Sequence, residues 1–331
     1  MNVFQLTRQL IDIPSPTNSE QEMMNFLKKC LIDLGFTVNT QDISNGRFNI
    51  LASHGDPKVV LSTHTDTVNP YFPSREDDRY IYGRGACDTK GIIAAKLKAA
   101  DILLKKGTEH FGLLFVVGEE DKSDGAIAAN QLANHCKFLI NGEPTENKMA
   151  TGTKGVIRLK IATHGKACHS AYPELGESAI EKMLDILQDI RAMELPTHPL
   201  LGPTTNNIGV IKGGIQANVI PPEAEAILMT RVVTSTQDMQ ERLSAVIGSR
   251  GDADFYFNYE PVLTKVLSGY PTMVASYGTD IPFLTNWGEP ILFGPGSILD
   301  AHTANEKIDK RQLEEAVHHY VDMVVQLLRE Y

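Results

Sequence analysis

Val59-Val60-Leu61-Ser62-Thr63-His64-Thr65-Asp66-Thr67 carries an apolar, partly β-branched run directly into a histidine and an acid. Such a run reads as a short buried strand, and the polar residues begin where the strand should end. Leu113-Leu114-Phe115-Val116-Val117 precedes Glu119-Glu120 in the same way, and Asp88, Glu143 and His302 complete an ordered set of acidic and histidine sites. In an open α/β sheet, ligands gather in the crevice at the carboxyl ends of the strands. Five distant positions can therefore converge, and an α/β fold is the architecture that allows it.

Working outward, residues 1–150 alternate helix-like and strand-like segments. Helices are expected near 19–34, 91–106 and 124–135, and strands near 48–53, 58–63, 111–117 and 137–140. This order predicts a mixed, mostly parallel central sheet. From Gly155 the texture changes to longer alternating strands at 155–163, 206–212, 223–233 and 253–259, with helices at 176–193 and 236–249. After residue 265 come a short helix near 280–286, an apolar strand at 290–293 and a final helix at 310–329. If His302 shares a metal site with Glu120, this last segment must rejoin the first; the expectation is then a discontinuous di-metal catalytic domain, 1–153 and 265–331, with an α+β two-layer sandwich inserted at 154–264.

With 331 residues and 42% hydrophobic content the chain can bury a large core. The net charge, 31 − 41 = −10, comes without a Lys/Arg cluster, so no footprint for nucleic acid or an anionic membrane is expected. No apolar run approaches the roughly 20 residues of a membrane span. The N-terminus runs into an amphipathic helix pattern rather than a signal core. Cys30, Cys87, Cys136 and Cys168 form no Cys-x-x-Cys pair, which points to a reducing, cytoplasmic setting.

Hydrolysis of an amide at neutral pH needs an activated water and a positive centre for the oxyanion, and two divalent ions about 3.5–4 Å apart supply both. A carboxylate must bridge them. Asp88, where Gly83-Arg84-Gly85-Ala86-Cys87 enters a helix, is the expected bridge. His64 with Glu143 would hold one ion and His302 with Glu120 the other, a donor set suited to Zn2+, Co2+ or Mn2+. Asp66 lies two residues from His64 and can accept the second imidazole N–H. Glu119, beside a ligand but pointing elsewhere, suits the general base. Gly83-x-Gly85 does not continue into a dinucleotide fingerprint, since Asp88 stands where a third glycine should.

His64-Thr65-Asp66, Gly85-Ala86-Cys87-Asp88-Thr89-Lys90-Gly91, Gly118-Glu119-Glu120, Asn141-Gly142-Glu143-Pro144-Thr145 and Gly294-Pro295-Gly296-Ser297-Ile298 with Ala301-His302 resemble the acetylornithine deacetylase, succinyl-diaminopimelate desuccinylase, aminoacylase and glutamate carboxypeptidase family. The resemblance runs nearly end to end. It implies two zinc ions bridged by Asp88, a dimerising or lid role for the insertion, and a cis peptide at Asp88-Thr89. It also implies that His169, in Gly165-Lys166-Ala167-Cys168-His169-Ser170, acts in the partner subunit's site of a homodimer. Asn218, Arg231 and Gly294 are the matching substrate-binding positions. A structural alternative stands beside two of these: Asn218 capping a turn, and Arg231 pairing on a sheet surface.

In the family that the chain resembles, deacylases tend to carry glutamate at the position of Glu143 and di- and tripeptidases aspartate, so the resemblance implies deacylation, and the closing motifs look most like the acetylornithine deacetylase branch. By that analogy Asp280 would receive a cationic substrate side chain, or else cap the following helix. The expected activity is removal of an acyl group from an N-acyl amino acid. A dipeptidase or carboxypeptidase with the same chemistry is the rival, and a non-catalytic dimeric module is the alternative of another class.

Overall fold

The computed structural model describes residues 2–331. Two compact units divide the chain. The first holds the residues up to Thr151 together with Leu263–Ala275 and Thr279–Tyr331; the second holds Gly152–Val262 and Ser276–Gly278.

The first unit is built on a six-stranded sheet in the order Thr37–Ser44, Arg47–His54, Phe111–Val116, Val59–His64, Phe138–Asn141, Glu289–Leu292. The last four run parallel, and the first two add on antiparallel. Val59–His64 and Phe111–Val116 are buried at every position, which explains why they read as continuous apolar runs rather than alternating ones. Thr37–Ser44, largely exposed and polar at the sheet edge, lacks that signal and does not read as a strand from its sequence. Helix Gly91–Lys105 packs along the C-terminal helix Lys310–Glu330, and both lie against the central strand Val59–His64. Asp309 starts that last helix by accepting from Arg311 N at 2.9 Å.

Two expected helices are shorter. The segment predicted at 124–135 is helical only over Asp124–Ala129. The carbonyls of Ala129 and Asn130, which a longer helix would use internally, accept from Trp287 Nε1 at 3.1 Å and Asn286 Nδ2 at 2.9 Å. Ala129 O also accepts from Leu132 N at 3.0 Å in a tighter i→i+3 turn, so that local turn and the tertiary hydrogen bonds together end the helix. The segment predicted at 280–286 is a single tight turn, Ile281–Phe283.

The second unit is a four-stranded antiparallel sheet in the order Thr205–Gly213, Glu223–Val232, Gly155–His164, Asp252–Tyr259. Along Glu223–Val232 buried residues alternate strictly with more exposed ones, so one face is covered and the other is not. Helices Ala179–Ala192 and Thr236–Ile247 cover it, capped by Ser178 and Ser235. Among the described residues no helix is long and apolar enough to cross a membrane.

Candidate metal centre

Four of the site's segments leave the carboxyl ends of adjacent parallel strands: His64 ends its strand, Glu119-Glu120 follow Phe111–Val116, Glu143 follows Phe138–Asn141, and the His302 loop follows Glu289–Leu292. Asp88 comes from the turn before helix Gly91–Lys105, a turn closed by Lys90 N donating to Gly85 O at 2.8 Å. The Asp88-Thr89 bond within it is cis.

Asp88 stands at the centre. Its Oδ1 lies 3.0 Å from His64 Nε2, and its Oδ2 lies 3.3 Å from His302 Nε2. His302 Nε2 is also 3.0 Å from Glu120 Oε1. Two candidate triads result, His64-Asp88-Glu143 and Asp88-Glu120-His302, each with ligand atoms within 4.8 Å of one another. They share Asp88 and nothing else.

Asp66 is fully buried and organises the strand ends. Its Oδ1 is 3.4 Å from His64 Nδ1 and accepts from Glu119 N at 3.1 Å. Its Oδ2 accepts from Glu120 N at 3.1 Å and Thr17 Oγ1 at 2.8 Å. The His64 ring is further set by the Asp66 carbonyl, 3.0 Å from Nδ1, and its backbone by Thr89 Oγ1, which donates to His64 O at 2.6 Å. Gly118, at φ 78°, turns the chain into the paired glutamates; a Cβ there would run into Asp124 and Arg47.

The charges are lopsided. Burial pushes Glu119 and Glu143 well above the usual carboxylate range, with neighbouring carboxylates adding to the effect and His64 opposing it. Burial also acts on Asp88, but the hydrogen bonds to His302 and His64 outweigh it and hold that carboxyl low. Asp88 and Glu120 push His302 up to about 10. Among the described residues no lysine or arginine is ion-paired with Asp88, Glu119, Glu120 or Glu143. Glu143 Oε1 is buried without a hydrogen-bond partner. Buried charges are paired or coordinate metals, and an oxygen-and-imidazole set with an orphaned carboxylate oxygen fits divalent cations of the zinc type.

The other candidates divide between the units. Gly294 is buried against the backbone behind Glu143: a Cβ would stand 2.5 Å from Glu143 O, and Gly294 N donates to Thr145 Oγ1 at 3.0 Å. Asp280 has no exposure and, among the described residues, no lysine or arginine partner; burial pushes it up to about 7, with His64 and the Ser123 hydroxyl opposing. It occupies the residue before the 281–283 turn without capping it through its side chain. In the second unit His169 and Asn218 are both exposed and adjacent, with Ser170 N donating to Asn218 O at 3.0 Å and His169 bridged to Val219. Arg231 lies on the partly exposed face of its strand, opposite Thr205 and Val156.

Residue-by-residue reading of the sequence missed the charged groups under the site. Arg47 is buried, binding Glu20 through Nε and Nη2 at 2.9 Å each and Asp124 through Nη1 and Nη2 at 2.6 and 3.0 Å. Arg84 and Glu306 form a second buried pair at 2.7 Å. A charged residue inside an otherwise glycine-rich loop, such as Arg84 between Gly83 and Gly85, is the only hint of this in the sequence.

Residues 151–249 match the family described as the peptidase dimerisation domain. Over its length the chain is similar to a peptidase M20 domain-containing protein of Schizosaccharomyces pombe, 39% identical over 99% of this chain and 85% of that one. It is also similar to a probable carboxypeptidase of Aspergillus clavatus, 35% identical over 95% of this chain and 86% of that one. Among solved structures, a tripeptidase from Staphylococcus aureus superposes with a TM-score of 0.85 at 21% identity, covering 99% of this chain and 98% of the other. That last likeness is one of fold.

Proposed function

This chain belongs to the M20 family of peptidases, and on that premise we propose that it is a two-metal hydrolase cutting the amide bond on the nitrogen of an amino acid whose carboxylate is free. The observation that carries the proposal is the sharing of Asp88, one oxygen toward His64 and the other toward His302. In this reading His64, Asp88 and Glu143 hold one ion and Asp88, Glu120 and His302 the other, with zinc first and cobalt or manganese as substitutes. When bound, two such ions lower the pKa of water and stabilise negative charge on the amide oxygen.

The protein's own groups do the rest. Glu119 takes a proton from the attacking water and delivers it to the leaving nitrogen, so that the C–O bond forms, the C–N bond breaks and the proton ends on the amine. Asp66 holds the amide N–H groups of Glu119 and Glu120 through its two oxygens and so keeps base and ligand apart. Arg231 offers a planar fork for the substrate carboxylate, and Asn218 and His169, both supplied by the partner subunit, offer donors to the oxyanion. The exposed juxtaposition of His169 and Asn218 supports their acting together. Gly294, where a Cβ would meet the Glu143 backbone, is the glycine proposed to line the substrate position, and the buried Asp280, which no lysine or arginine among the described residues pairs, is the position for a cationic substrate group.

N-acyl amino acids are the leading substrates, on the strength of Glu143 in Gly142-Glu143-Pro144-Thr145 and a closing motif of the acetylornithine deacetylase type. The second reading, a carboxypeptidase or small-peptide peptidase, is favoured by the relatives named above. Initial rates of the zinc-loaded enzyme on N-acetyl and N-succinyl amino acids beside dipeptides separate them. Preference for acyl amino acids with basic side chains supports the deacetylase reading and Asp280. Preference for dipeptides removes both, and no turnover of either class by protein carrying two ions overturns the proposal.

A further inference from the structure

The turn that presents Asp88 is held by a buried ion pair which makes no contact with the other ligands. Glu306, with no solvent exposure, accepts from Cys87 N and from Asp88 N, both at 3.2 Å, through a single oxygen. Its other oxygen takes Arg84 Nη1 at 2.7 Å, and its backbone carbonyl takes Gly83 N at 3.1 Å. Arg84 is fixed in turn by Nε donating to Pro70 O at 3.1 Å and by stacking over Phe72. The whole turn from Gly83 to Asp88 is therefore tied to the stretch that carries His302 four residues earlier.

We propose that Glu306 and Arg84 are a positioning pair for the shared carboxylate, setting Asp88 so that its two oxygens face two different ions. The proposal rests on the two-ion reading. A carboxylate that bridges has no rotational freedom to spare: turning Asp88 to favour His64 moves its second oxygen off His302. Holding the Asp88 amide and the amide before it removes that freedom at the backbone. Because Glu306 and Arg84 neutralise each other, the pair sets geometry without altering the net charge offered to the ions. Loss of the pair should accordingly weaken both ions together, whereas loss of His302 should weaken one.

The test is Co2+ titration of the metal-stripped full-length protein against a competing chelator, followed by absorption, with thermal melts alongside. Wild type that binds no ions removes the two-ion reading itself, whatever Glu306 does. Given two ions in wild type, Glu306→Gln and the charge-balanced Arg84→Met/Glu306→Gln should melt cooperatively yet bind both ions about 10- to 100-fold more weakly, the usual effect of losing a group that orients a ligand. Glu306→Asp, which keeps the charge but draws it back from the amides, should fall between. Wild-type affinity for both ions in the folded variants overturns the proposal even if melting temperatures drop. Failure of all three variants to fold overturns it too, since the pair is then an element of folding.

Discussion

Asp66 has a heavier task than orienting one imidazole. A single buried carboxylate faces His64, receives two successive backbone N–H groups and takes the Thr17 hydroxyl. Exchange for asparagine keeps the volume but turns an acceptor into a donor against at least one of those N–H groups. We expect Asp66→Asn to lose about 1–3 kcal/mol of stability, the cost of a buried donor left unmatched, and to bind metal about 10- to 100-fold more weakly. Denaturant melts and Co2+ titration read the two effects, and unchanged affinity would show that the histidine needs no help. The neighbouring Glu119 should behave in the opposite manner. Glu119→Gln should keep both ions and lose turnover by about 10²- to 10⁴-fold, the range of a lost general base; near-normal kcat would take Glu119 out of the mechanism.

At the scale of elements, the turn carrying Glu119 and Glu120 depends on Arg47, at the start of strand Arg47–His54. Its guanidinium joins Glu20, at the head of helix Gln21–Leu34, to Asp124, at the head of helix Asp124–Ala129. Truncating Arg47 leaves the fully buried Glu20 without its partner, at a cost of about 3–5 kcal/mol, whereas Asp124, 40% exposed, is still solvated. Arg47→Met should show that loss in thermal melts, and Glu20→Gln/Arg47→Met/Asp124→Asn should recover part of it; a triple variant no better than the single would mean the charge cluster is not the reason. The same cluster marks the limit of reading by pattern. Fully buried strands such as Phe111–Val116, and ligands placed just beyond them, announce themselves through local apolar runs and abrupt polar ends. Arg47, Arg84 and Glu306 become intelligible only when residues 27, 77 or 222 positions apart in sequence meet. Helix Asp124–Ala129 stops early partly for the same reason, because Asn286 and Trp287, remote in sequence, claim carbonyls at its end. His302 is similar: its motif is legible, but its left-handed backbone, φ 60°, follows from the loop that returns it to Asp88.

For the molecule as a whole, the uncompensated carboxylates predict that metal is part of the stability of the fold. Stripping the ions should lower the melting temperature, and restoring Zn2+ should raise it; a free ion at about a thousand times its Kd contributes about 4 kcal/mol. A melting temperature indifferent to chelator would contradict the two-ion reading. The role of His169 is a claim about assembly and is testable without any structure of the dimer. If His169 serves the partner's site, a His169→Ala subunit retains Glu119 but needs a partner's imidazole, and a Glu119→Gln subunit retains His169 but cannot use its own base. Each homodimer should be inactive. Co-expressed in equal amounts, half of the resulting dimers pair one of each kind, and each such dimer holds one site with both groups intact. Activity should therefore return to about a quarter of wild type in a randomly assorting two-fold dimer. If His169 acts within its own subunit, no combination of the two variants restores a complete site, and the mixture should stay as inactive as its parts.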